Sequence, residues 1–118
     1  MENIKKDSKD ILNTLQSELK NLHDCVDGIG RELPSGRLQP VNLNHFIAII
    51  NRIIAFVSDY CFIAENKKQA VQIQNNLIGI RDEDINCLDI SKMDIYDSQD
   101  KMMSLYKDIE QTLAPLFS

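Results

Sequence analysis

The sequence predicts an all-α protein, an antiparallel bundle of three long helices, or four if the middle helix breaks near Asn66. Three observations carry that expectation. The stretch Leu43–Ala64 is apolar over far more of its circumference than a surface helix, stripes of Leu and Ile recur at three- and four-residue steps on both sides of it, and Gly and Pro gather in one place.

The first helix is read from Ile4, Ile11, Leu12, Leu15, Leu19, Leu22, Val26 and Ile29. Their spacing is that of one helix face over about 25 residues. Asn3 or Asp7 could cap its start, and Gly28 could end it as the residue just past the last turn. Lys5, Lys9, Ser17, Lys20, Asn21 and Asp24 form the solvent face.

Gly28 to Pro40 reads as a loop, holding three of the four glycines and two of the three prolines. Gly28 and Gly30 invite a dinucleotide-binding reading. Leu33 stands where a third glycine belongs and no strand precedes it, so that reading fails.

The central helix follows, with Asn42 or Asn44 as its cap. On a helical projection Asn44, Asn51, Arg52, Ser58, Asp59, Glu65 and Asn66 share one stripe. Phe46, Ile47, Ile49, Ile50, Ile53, Ile54, Phe56, Val57, Tyr60, Cys61, Ile63 and Ala64 fill an arc of over ~200°, where an ordinary surface helix shows ~100°. Neighbouring helices must cover it on several sides. No membrane span is expected, because Arg52 and Asp59 interrupt the run. Within the polar stripe, Ala48, Ala55 and Phe62 repeat every seven residues. Small residues let another helix approach, and Phe62 supplies an aromatic anchor, so these three are the candidate partner-binding residues. The competing expectation is that the segment after Gly79 covers them.

Glu65–Gln69 is wholly polar, and Ala70, Ile73, Leu77 and Ile80 then resume a helical stripe to a stop at Gly79. Arg81–Tyr96 is acidic and irregular, a short helix or loop anchored by Ile85, Leu88, Ile90, Met93 and Ile95. Asp97 or Ser98 caps a last helix with Met102, Leu105, Tyr106, Ile109, Leu113 and Leu116 as its core stripe, and Pro115 frays its end.

Residues 1–118 read as a single domain with 43% apolar and 26% charged residues, ordinary for a globular chain. A net charge of −5 argues against nucleic acid and suits a partner with basic surface. Cys25, Cys61 and Cys87 lack any framework spacing, and no apolar signal region opens the chain, so a cytoplasmic protein without disulfides is expected.

Motifs for chemistry are weak. A calcium loop starting at Asp82 would need Gly at 87 and Glu at 93, where Cys87 and Met93 stand. Asp24 with Asp27, Asp94 with Asp97 and Asp97 with Asp100 are carboxylate pairs at helical spacing, the basis of an alternative reading as a small metal-dependent hydrolase. That reading requires the pairs to converge, which a four-helix topology allows and a three-helix one forbids. His23 and Cys25 point to different faces, and His45 reads as a packed or surface histidine.

The expectation is therefore a non-enzymatic protein-binding module with no cofactor and no bound metal, its partner either another protein or a second copy in a homodimer. Small helical inhibitors, toxin-immunity proteins and secretion chaperones share this build, an analogy of class with no motif behind it.

Overall fold

The computed structural model describes residues 2–32, 40–85 and 95–117, and no strand occurs among them. Helix α1 spans Glu2–Glu32, α2 spans Pro40–Ile63, α3 spans Lys67–Gly79 and continues directly into a π-helical segment at Ile80–Ile85, and α4 spans Ile95–Phe117. The middle helix breaks, so the bundle has four helices rather than three.

The break is chemical. Ala64–Asn66 leave the helix, and Asn66 caps α3 by accepting a hydrogen bond from the Gln69 backbone N–H on its Oδ1 at 3.0 Å. The chain then reverses. Cys61 Sγ donates to Gln74 Oε1 at 3.7 Å, and Arg81 Nη1 donates to Asn51 Oδ1 at 3.3 Å, pairing α2 with an antiparallel third helix.

Arg52 Nε to Glu18 Oε2 at 2.9 Å ties α1 to an antiparallel α2 in the same way. Gln99 Nε2 donates to the Val26 carbonyl at 3.0 Å, which sets the start of α4 beside the end of α1. The helices thus succeed one another around a closed ring, α4 returning to α1, in a body of 53 × 24 × 21 Å.

The core follows the stripes. Leu15, Leu19, Leu22 and Val26 of α1 meet Phe46, Ile49, Ile50, Ile53, Ile54 and Val57 of α2. Ile73 and Leu77 of α3, Ile85, and Met102, Leu105, Ile109, Leu113 and Leu116 of α4 complete it. Ile47, Phe56, Tyr60 and Cys61 pack against its rim, half-buried. Burying one such aliphatic side chain contributes about 1.5–3 kcal/mol, which is why the stripe pattern dominates the topology.

Several expected boundaries shift. Gly28 does not end α1, which runs four residues further to Glu32, and Gly79 does not end α3. Neither glycine is forced into a left-handed turn, and a Cβ at either position would meet nothing within 4 Å. Glycine there weakens the helix by about 0.5–1 kcal/mol relative to alanine without breaking it. Asn3, Asp7, Asn42 and Asn44 lie inside their helices rather than capping them, as do Asp97 and Ser98, since α4 begins at Ile95. Ser98 is buried, and its Oγ has no hydrogen-bond partner among the described residues.

The π-helical segment has a packing reason. Ala70, Ile73 and Leu77 define the inward face of α3, and a continued α-helix would bring Ile80 and then, one turn later, Asp84 to that face. The apolar residue arrives one position late, at Ile85. The wider i→i+5 turn absorbs the extra residue, leaving Ile85 only 2% exposed and Asp82, Glu83 and Asp84 in solvent. The expected anchors Leu88, Ile90 and Met93, the thiol of Cys87, and most of the predicted loop before Pro40 lie outside the described residues.

Candidate interaction surface

Helix α2 serves two surroundings. Its segment Leu43–Ile63, with a mean hydropathy of 1.8, is long and apolar enough to cross a membrane, yet it sits in the bundle with its most apolar face against α1 and α3. The exposed stripe is Asn44, His45, Ala48, Asn51, Arg52, Ala55, Asp59 and Phe62, following the 3–4 periodicity of one face. Arg52 and Asp59 on that face would each cost about 2.5–3.5 kcal/mol at a bilayer centre.

All three sequence-predicted partner residues lie on this stripe. Ala48 and Ala55 are exposed, and Phe62 is 78% exposed, the most open of the large apolar side chains described. Of the segment after Gly79, the alternative cover for this stripe, the described part brings Arg81 to Asn51 on one flank, and residues 86–94 lie outside the described residues. Val71 near the start of α3 and Tyr96 near the start of α4 are further exposed apolar side chains, at 43% and 62%.

A concavity elsewhere on the bundle escaped the sequence reading. Between α1 and α4 lies an open groove of about 700 Å³ lined by Gln16, Leu19, Lys20, His23, Asp24, Tyr106, Glu110, Ala114 and Phe117. Two antiparallel helices leave such a furrow where their facing side chains are short, as at Ala114. The Tyr106 hydroxyl donates to Glu110 Oε2 at 2.8 Å, and the His23 ring meets the Tyr106 ring edge-on with centroids 5.3 Å apart. Burial, the hydrogen bond to Glu110 and the nearby carboxylates of Glu110 and Asp24 push the Tyr106 hydroxyl up to about 12. His23 Nδ1 and Asp24 Oδ1 lie 3.5 Å apart. The four-residue step from Tyr106 to Glu110 was a legible signal for the hydrogen bond; the groove required knowing that α1 and α4 are neighbours.

The four-helix topology brings Asp24 and Asp27 to the same end of the bundle as Asp97 and Asp100, as the Val26–Gln99 hydrogen bond fixes. Among the described residues, no group of three or more His, Cys, Asp or Glu side chains is placed to hold a metal ion, and Asp94 lies outside them. His45 is exposed. Cys25 and Cys61 are thiols, and burial pushes the Cys61 thiol up.

No family model, curated protein or solved structure matches this chain.

Proposed function

We propose that this chain is a non-enzymatic protein-binding module that docks a helix of another chain along the outward stripe of α2. One observation carries the reading. Phe62 stands 78% exposed on the helix that otherwise supplies the largest share of the core, in seven-residue register with Ala48 and Ala55. Single surface hydrophobics are ordinary. What adds weight is the register, since two small side chains permit a neighbouring helix at the 8–10 Å separation of packed helices and an aromatic then closes the contact. A net charge of −5 favours a partner with basic surface, as expected of an inhibitor, immunity-type or chaperone-like adaptor in the cytoplasm. No cofactor, nucleic acid or membrane span enters this role.

The test uses cross-linking capture from the native host with the wild-type chain and with Phe62→Asp, alongside circular dichroism and light scattering of both. The reading expects an equally helical mutant in which association, with itself or with a captured protein, falls at least ~10-fold. Identical mass and an identical set of captured proteins for the two chains would overturn it. An unfolded mutant would do so as well, because it would place Phe62 in the core.

A further inference from the structure

We infer that the occupant of the α2 stripe is a second copy of this chain, paired antiparallel about a two-fold axis beside Ala55; this rests on the reading of that stripe as an interface.

The order of side chains along the stripe points to this pairing. Ala48 and Phe62 each lie seven residues from Ala55, about 10.5 Å along the helix on either side. Reversing a second α2 about Ala55 sets each Phe62 over Ala48 of the other copy. Large then meets small at both ends, and Ala55 meets Ala55 at the centre, where the backbones come closest. A parallel pair would instead stack Phe62 on Phe62 and leave a gap at each alanine.

Charge selects the same arrangement. Asp59 follows Ala55 by four residues and Arg52 precedes it by three, and at ~100° per residue both fall on the same flank of the stripe. A two-fold axis across the helix pair preserves that flank while reversing direction. Each Asp59 then lies within one residue step of Arg52 of the other copy, twice over. The opposite flank sets Asn51 across from Ser58. Parallel pairing would instead set Arg52 beside Asn51 and Asp59 beside Ser58 of the other copy, so neither opposite-charge pair would form.

The flank is already held in place. Arg52 Nε donates to Glu18 Oε2, which keeps the guanidinium on the α1 side of α2 while the side chain remains 47% exposed. On the other side Arg81 Nη1 bonds Asn51, holding that amide at the stripe's edge. An isologous contact of this kind closes on itself and stops at a dimer.

Single-cysteine cross-linking reads the register directly. With Cys25, Cys61 and Cys87 replaced by serine, cysteine is placed singly by Ala48→Cys, Ala55→Cys and Phe62→Cys, and each protein is mildly oxidised. A disulfide needs Cβ atoms about 3.5–4.5 Å apart, so the axis position alone should join to itself. Ala55→Cys should cross-link at least ~10-fold faster than Ala48→Cys alone, both variants keeping the Phe62 anchor, and an equimolar mixture of Ala48→Cys with Phe62→Cys should give the mixed dimer. Similar rates for Ala48→Cys and Ala55→Cys alone would mean a parallel pair, and no cross-link in any sample would mean no second copy; either result overturns the inference. Should the serine background fold poorly by circular dichroism, sedimentation of Asp59→Lys in the native chain serves instead. It should weaken the dimer ~5-fold or more, and an unchanged dissociation constant contradicts the pairing. A wild-type chain that stays monomeric while its host capture still depends on Phe62 would reject the second copy and leave the docking face standing.

Discussion

Tyr106 shows what a helical stripe says about one residue and what it omits. Its spacing placed it with Met102, Leu105 and Ile109 in the core of α4, and its ring does reach the core's edge. Its hydroxyl instead faces the α1–α4 groove and donates to Glu110. Periodicity assigns a ring to a face, while the polar tip goes where a partner waits, and that partner sits one turn along the same helix. The consequence is a pH effect with a definite sign. The hydroxyl ionises near 10.0 in the unfolded chain and at about 12 in the folded one. The folded state therefore holds this proton more tightly, and the associated stability is fully present below about pH 10 and lost as pH rises toward about 12. Thermal melts across that range should show a steeper loss for the wild type than for Tyr106→Phe. Parallel slopes would mean that the hydroxyl contributes nothing to the alkaline response. Ser98 offers no such account, since its residue type suggested a cap and it lies buried inside the first turns of α4 without a hydrogen-bond partner among the described residues.

At the scale of elements, the amphipathic stripes were legible because burial of each apolar side chain outweighs the tenths of a kcal/mol at stake in helix propensity. Among the described residues, the buried apolar side chains of α1, α3 and α4 are those the spacing picked. Helix ends were harder to read. Gly28 and Gly79 are natural stops, yet a glycine ends a helix only where the chain turns, and neither does. The polar run after Ala64 allowed one long helix or two, because Lys67, Lys68 and Gln69 are sound helix formers that suit either arrangement. The cap at Asn66 decided it. Asn66→Ala should therefore destabilise the protein by about 1 kcal/mol in denaturant melts, within the ~0.5–2 kcal/mol range for such caps. No measurable loss would mean that the α2–α3 reversal is held by packing alone. The π-helical segment was invisible in advance, since the one-residue delay of Ile85 becomes meaningful only against the established inward face of α3.

At the scale of the whole molecule, the sequence left three or four helices open, and with them whether Asp24 and Asp27 could share an end with Asp97 and Asp100. Those questions were one question, because the break at Asn66 reverses every later helix. The candidate stripe on α2 was legible from a single helix, since Ala48, Ala55 and Phe62 interrupt a polar face at a fixed period. The groove was not, because it belongs to a pair of helices far apart in the chain. The central claim is that α2 divides into an inward face that holds the bundle together and an outward face that does not. Equilibrium denaturant melts of Ile53→Ala and Phe62→Ala, at a protein concentration low enough to keep the chain monomeric, test that division most directly. Ile53 is fully buried, so its truncation should cost about 2–5 kcal/mol, while that of Phe62 should cost less than about 0.5 kcal/mol. Comparable losses for the two, or a larger loss for Phe62, would contradict the account.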